Sequence, residues 1–307
     1  MEESQVPPQV SVLIVSHNSA AALRRCLAAL EQSGERNKFE VLVIDNASRD
    51  ESPQLDTEFP GATFLRLPRH FGLVKALDIG MRTAKGEFFL FLAAEAEVLA
   101  DTVPALAARL AAAPEAVAVC PLVVTPGCQP RPRLFQLPTP DAVASLARRG
   151  AWVESGPPEL EGDSVPVTFP SMAALMVRSY FLKGLRYIDE RYGQAWADAE
   201  IAFQIRRAGR KILLCPGVRV VLHPAEQGPA DSSVQALFSA DWALGAATFA
   251  GKHYGFATGL KVRVLAILHA LTQALWSVLR FGEVGYHFSR LNFLVSGQKL
   301  DGTQRVP

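Results

Sequence analysis

The chain has 307 residues, of which 49% are apolar and 20% charged, with a formal net charge of +1. That length can bury a full core, the apolar content excludes a disordered chain, and the near-neutral balance excludes a general polyanion binder, so no nucleic-acid partner is expected. Cys26, Cys120, Cys128 and Cys215 form no Cys-x-x-Cys zinc pair, which points to reduced thiols; Met1-Glu2-Glu3-Ser4 is acidic where an export signal is basic, so a cytoplasmic location is expected.

Taken in chain order, Val10-Ser11-Val12-Leu13-Ile14-Val15 is a short run rich in β-branched residues and reads as a buried strand. Asn18 or Ser19 then offers a helix N-cap, and Leu23, Leu27 and Leu30 recur at helical spacing. Phe39 to Ile44 is a second strand, ended by Asp45-Asn46. Ala62 to Leu67 is a third, and Leu73 to Ala84 is a helix stopped by Gly86. Glu87 to Leu92 is a fourth strand, Asp101 caps a helix to about Ala112, and Ala116 to Val124 closes the series. Strand and helix in alternation predict an α/β fold, a mostly parallel sheet with helices on both faces. Ligands of such sheets sit beyond the carboxyl ends of the strands, where the winding switches. The polar residues at those ends are Ser16-His17-Asn18, Asp45-Asn46, His70-Phe71-Gly72, and Glu95 with Glu97.

From Thr125 to Pro140, five prolines in sixteen residues mark an irregular excursion, and a second runs from Gly150 to Pro166, with a short helix over Asp141 to Arg149 between them. Met172 to Val177 reads as a strand and Asp198 to Ala208 as a helix stopped by Gly209. Lys211 to Val221 reads as strand segments broken by Pro216-Gly217. From Gly251 onward seven Lys or Arg face only Glu283 and Asp301. There Val264, Ile267, Leu268, Leu271, Leu275 and Val278 form one apolar helical stripe, with Lys261, His269, Gln273 and Arg280 opposite. The uncharged run between Arg263 and Arg280 is 16 residues, short of the roughly 20 that cross a bilayer. Two readings remain: a helix packed on the catalytic domain, or a basic amphipathic helix lying on an anionic membrane face.

The runs VSVLIVSHNS, EVLVIDNASRDES, HFGLVKALDIGMRTAKGEFFLFL, YIDERYGQAWADAEIAFQIRRAG and VVLHP, in that order over about residues 9 to 224, resemble family 2 glycosyltransferases. Within that family the Asp45-Asn46-Ala47-Ser48 element looks most like the bacterial rhamnosyltransferase-type branch. The resemblance implies a GT-A (Rossmann-like) domain over 1–228, with a donor half to about 120 and an acceptor half over 121–228, followed by the basic amphipathic helical region 229–307. It implies an inverting transferase in cell-surface glycan synthesis, taking a nucleotide-sugar donor and a saccharide or polyprenyl-linked acceptor. Such a protein would be peripheral at the inner face of the plasma membrane.

By resemblance Asp198 is the general base, with an ordinary helix cap as the alternative use of its side chain. Glu200, two residues on, is the second carboxylate within reach of the cleft. Ser16, His17, Asn18, Asp45, Asn46, His70 and Gly72 line the donor pocket; for Asp45 the alternative is turn chemistry. The family's metal motif is altered: Ala93 stands at its first acidic position and Glu95 at its second, while Glu95-Ala96-Glu97 restores two carboxylates by a shift of two residues. A divalent Mg²⁺ or Mn²⁺ would then be held by Glu95, Glu97 and His223. The competing readings are a metal-free site using Arg69, His70 or Lys75, and a degenerate, non-catalytic module that binds a nucleotide sugar or a partner protein. Ala197, where glutamate is usual, His70 and Asp78, where asparagines are common, and Met172, where glycine is frequent, are further departures. Trp152, Trp196, Trp242 and Trp276 are candidate stacking platforms or core residues, and Trp196 stands out by lying two residues before Asp198.

Overall fold

The computed structural model describes residues 8–131, 133–155, 160–225, 231–280 and 283–298. The acidic N-terminus, the boundary expected at 228, and Lys299 and Arg305 lie outside the described residues. The first half comprises β1 (Val10–Ser16), α1 (Ala20–Glu31), β2 (Phe39–Asp45), α2 (Leu55–Glu58), β3 (Ala62–Arg66), α3 (Leu73–Thr83), β4 (Phe88–Leu92), β5 (Ala96–Val98), α4 (Thr102–Ala112) and β6 (Ala116–Val124). There follow α5 (Val143–Arg149), β7 (Val165–Val167), β8 (Ala174–Arg178), α6 (Ser179–Gly184), α7 (Ala197–Arg207) and β9 (Lys211–Leu222). Three helices close the chain: α8 (Ser232–Tyr254), α9 (Phe256–Leu279) and α10 (Val284–Ser296).

The strands form one sheet in the order β3-β2-β1-β4-β8-β6-β9-β5, with β7 also on β9. β1, β2, β3, β4, β6 and β9 point one way, while β5, β7 and β8 run against them. The fold is therefore the expected GT-A arrangement, with β8 as an antiparallel strand set into the middle. Lys211–Leu222 is one strand rather than broken segments. Cys215 pairs with Pro121 and Arg219 with Leu122, so Pro216-Gly217 sits in a bulge that lets pairing resume.

Period-two alternation explains how one sheet feeds two cores. Val12, Ile14, Val41, Val43, Phe88 and Leu90 face one side, with Leu23 and Leu27 of α1 and Leu106 of α4. Leu13, Leu42, Ile44, Phe89 and Phe91 face the other, with Leu77 of α3, Ile201 of α7 and Leu244 and Phe249 of α8. Each buried side chain of this size contributes about 1.5–3 kcal/mol. The four cysteines are free, and only Cys128 is exposed.

The C-terminal stripe forms a helix as expected, but it does not pack as a core stripe does. α9 buries Gly259, Val262, Ala266, Ala270, Ala274 and Ser277. Small side chains are what this contact demands, because a Cβ on Gly259 would lie 2.7 Å from the Cα of Gly251 on α8. Val264, Leu268, Leu271, Leu275 and Val278 consequently face outward.

Candidate active site

The strand order 3-2-1-4 switches winding between β1 and β4, and a cavity of about 450 Å³ opens there beyond their carboxyl ends. His17, Asn46, His70, Glu95 and Asp198 share its wall with Trp152, Met172 and Trp242. Segments far apart in sequence, from His17 to Trp242, thus meet in one hollow.

Asn46 is buried just past β2. Its Oδ1 accepts from the Phe71 backbone N–H at 2.8 Å, and its Nδ2 donates to the Gly72 carbonyl at 3.2 Å. Gly72, at φ +79°, is the residue before α3, and that left-handed backbone favours glycine. His17 meets His70 edge to face at 4.5 Å, and its Nδ1 lies 3.0 Å from the Asn46 carbonyl. Burial, reinforced by His17, lowers His70 to about 4, so this imidazole is neutral at physiological pH.

Ser16, Asn18, Asp45 and Gly72 are not among the residues that line the cavity. Ser16 Oγ is 2.9 Å from Ser19 Oγ, and Asn18 Oδ1 accepts from the Arg49 N–H at 2.8 Å. Asp45 takes part in a turn. Its Oδ2 accepts a long 3.4 Å bond from the Ser48 N–H in a turn, while its buried Oδ1 has no hydrogen-bond partner among the described residues. A buried carboxylate oxygen without a donor is the feature a ligand N–H or hydroxyl would satisfy.

Asp198 is not a cap. The N-cap of α7 is Trp196, at φ +76°, and Asp198 lies inside the first turn, with its Oδ1 accepting from the Ala199 N–H at 2.9 Å. Burial raises its carboxyl to about 6, against the opposing pull of the Ala199 N–H, a Trp152 hydrogen bond and the Arg133 charge. A carboxylate poised there is ionised at neutral pH yet basic enough to accept a proton.

Glu200 does not reach the cleft. Residues two apart lie on opposite sides of a helix, and Glu200 points into a separate buried network. It accepts from Tyr192 Oη at 2.8 Å, Gln204 Nε2 at 2.8 Å and Lys252 Nζ at 2.9 Å, and it lies 2.7 Å from His253 Nε2. Burial alone would raise it, but the bonds from His253, Gln204 and Lys252 outweigh burial and hold it down at about 2.

The expected metal set is not assembled. Only Glu95 lies on the cavity wall. Glu97 Oε2 is 2.7 Å from His223 Nε2, so those two are each other's partners. Among the described residues no three His, Cys, Asp or Glu side chains converge. One carboxylate falls short of a protein-built Mg²⁺ or Mn²⁺ site, which calls for several oxygen donors. The metal-free reading loses its cations too. Arg69 and Lys75 flank the Phe71 ring at 5.1 and 4.8 Å, His70 is neutral, and no Lys or Arg is among the described wall residues.

Trp196 is 1% exposed and belongs to the core, with its Nε1 donating to the Trp242 carbonyl at 2.9 Å. Trp152 and Trp242 are the partly exposed indoles on the wall, with ring centroids 4.7 Å apart. Of the four candidate stacking indoles the sequence offered, Trp196, the one that stood out, is the buried one, and Trp152 and Trp242 are the partly exposed ones on the wall.

Over 90 residues the chain is 32% identical to the glycosyltransferase AglE of Haloferax volcanii, a match covering 28% of this chain and 30% of that protein. The chain spans about a third of the length of the curated relatives it matches. Among solved structures, GalNAc-T7 with UDP, GalNAc and Mn²⁺ is similar at TM-score 0.60 and 17% identity, covering 91% of this chain and 59% of that one. The mannosyltransferase PcManGT of Pyrobaculum calidifontis with GDP-Man and Mn²⁺ is similar at TM-score 0.56 and 16% identity, covering 96% and 89%. At such identities these likenesses carry the GT-A fold and nothing finer. The family model described as glycosyl transferase family 2 matches residues 11–180, more than half of the chain, and the protein belongs to that family.

Proposed function

We propose that the protein is an inverting glycosyltransferase that moves a sugar from a nucleotide-sugar donor to a saccharide or lipid-linked saccharide acceptor in cell-surface glycan synthesis. The observation that carries this reading is the shared cavity: Asp198 stands on one wall, with Asn46, His17, His70 and Glu95 on the others. The donor would lie over β1 and β2, against the wall residues His17, Asn46 and His70. The acceptor would enter past Trp152 and Trp242, whose faces suit the apolar side of a pyranose. Asp198 would take the acceptor hydroxyl proton as that oxygen attacks the anomeric carbon in line. The Asp45-Asn46-Ala47-Ser48 element supports the rhamnosyltransferase-like branch, and a polyprenyl-linked acceptor would bring the protein to the inner face of the plasma membrane. The donor half would end near 120, the acceptor half near 228.

A second reading, a non-catalytic GT-A module that binds a nucleotide sugar or a partner protein, rests on a specific observation. With Ala93 in place of a metal-holding acid and no described cation on the wall, little is present to neutralise a departing diphosphate. A thermal-shift screen of nucleotide sugars with and without Mn²⁺ identifies the donor by mass action. Turnover of that donor, with product of inverted anomeric configuration by NMR, separates the two readings. Stabilisation without turnover in the wild type rejects the transferase reading, and full activity in Asp198→Asn rejects Asp198 as its base.

A further inference from the structure

α9 is built inside out for a helix of a water-surrounded domain. Its small residues face the protein, and its large ones face away. Leu260, Val264, Leu268, Leu271, Leu275, Trp276, Val278 and Leu279 are each at least 40% exposed, and Trp276 and Leu268 reach 50% and 51%. At 100° per residue these side chains cover one continuous face opposite the Ala266–Ala270–Ala274 seam. Phe288 and Val295 of α10 extend the apolar surface. Apolar patches of this extent mark interaction sites.

The exposed charges around the face are mostly cationic. Lys261 and Arg280 stand against Glu283, while Arg263 is turned to the Leu294 and Val295 carbonyls and Arg290 is buried. Arg148 and Arg149 end α5, which packs on α9. The Arg280 guanidinium lies 4.6 Å over the Trp276 ring, so a cation and an indole sit together at the end of the apolar face.

We propose that this face docks on an anionic lipid bilayer, with α9 lying in the interface plane, its leucines in the acyl layer and its cations at the headgroups. This deepens the membrane element of the function proposed above and rests on it. α9 is long and apolar enough to cross a membrane by length and composition, but a crossing is disfavoured by its packed side. That side is held along α8 and α10, and α8 carries the buried Asp241 and the cavity residue Trp242. A second copy is a poorer occupant, because two-fold contact would bring like cations together. A bilayer offers both an apolar interior and negative headgroups.

The test uses the full chain and vesicles without donor or acceptor, so its failure leaves the transferase assignment standing. Cosedimentation should be about tenfold stronger on phosphatidylcholine vesicles containing about one third phosphatidylglycerol than on phosphatidylcholine alone. It should weaken severalfold as NaCl rises from about 50 to about 500 mM. Leu268→Asp with Leu275→Asp should reduce binding about tenfold or more, and Lys261→Gln with Arg280→Gln severalfold. Both leucines are exposed, so circular dichroism should show the fold retained, and a Leu268→Ser, Leu275→Ser pair repeats the test if the aspartates disturb it. Tryptophan emission should shift to the blue on the anionic vesicles, and Trp276→Phe should remove the shift. Absent binding, full binding by the leucine variants, or a vesicle-free dimer that those variants dissolve overturns the proposal.

Discussion

Asp241, on α8, accepts a 2.7 Å hydrogen bond from the backbone N–H of Gln194, four residues before Asp198. Asp241 is 2% exposed, and its carboxylate crowds Gly193 so closely that no Cβ would fit there. Three residues on, Trp196 packs against Gly245, also of α8. The segment that delivers Asp198 to the cavity is therefore held from behind by a helix far along the chain. Asp241→Ala should lower stability by about 1–3 kcal/mol, since it removes the partner of a half-buried N–H. It should also lower kcat more than it raises KM, because the loop it releases carries the candidate base. Urea denaturation with steady-state kinetics checks both; a drop in stability with unchanged kcat would remove the positioning role.

Asp78 of α3 ties the same region to the sheet from the other side, with its Oδ1 accepting from the Ile188 N–H at 3.1 Å. Burial is the first cause of its rise from 3.8 to about 7. The native state therefore holds a proton that the unfolded chain has released, and stability falls as pH climbs from about 4 to about 7 through this group. Asp78→Asn should remove that slope and gain about 2–4 kcal/mol at pH 8 relative to wild type, with little difference near pH 4. Melting temperatures across this range read it directly, and parallel curves for the two proteins would contradict it.

The contrast between α8 and the early strands shows what the sequence carries. β1, β2 and β4 are short β-branched or aromatic runs too brief for helices, so their residues announce them. In α8, eleven of 23 residues are buried, from Val234 to Ala250, around most of the circumference. A helix that is apolar on nearly all sides has no 3.6-residue contrast to detect. The α9 stripe is legible as a period, yet a period cannot say which face meets the protein. That depended on the glycine and alanine seam fitting against α8. In the site, Asp198 is legible from a family-like run and Glu95 from its place just past another. The spacing of Glu95 and Glu97 could not reveal that Glu97 spends its reach on His223, 126 residues away.

As the proposed base, Asp198 should couple activity and stability with opposite signs. Its carboxyl is raised from 3.8 to about 6, with burial as the first cause, so keeping it ionised at neutral pH weakens the fold. Loss of stability from this group accrues as pH rises from about 4 to about 6 and is complete above that. Asp198→Asn should thus melt higher than wild type at pH 7.5 by the equivalent of about 1–3 kcal/mol, while transfer falls by about 10²–10⁴-fold. The wild-type kcat/KM should climb with pH through an acid limb near 6. Trp152→Phe, which removes a hydrogen bond to the carboxylate, should move that limb upward. A limb near 4, or a variant that melts lower, contradicts the burial of this carboxylate.

The Glu97–His223 pair makes the last prediction one about metal. Glu97 lies on β5 and His223 directly follows β9, which pairs antiparallel with β5, Ala96 opposite Leu222 and Glu97 opposite Val221, so backbone register holds the two side chains within reach of one another. The His223 N–H also bonds the Glu95 carbonyl at 3.0 Å, fixing the turn out of β9 against the start of β5. A cation drawn to Glu95 would have to break the 2.7 Å contact before gaining Glu97 or His223. The protein alone should therefore bind Mn²⁺ no more tightly than about millimolar by calorimetry, as expected for one protein carboxylate among otherwise water ligands. His223→Ala and Glu97→Gln should leave that weak binding unchanged, and Glu95→Gln should abolish it. Micromolar affinity in the wild type that His223→Ala destroys would mean the pair opens to complete a metal centre, and it would restore the three-residue set that the sequence suggests.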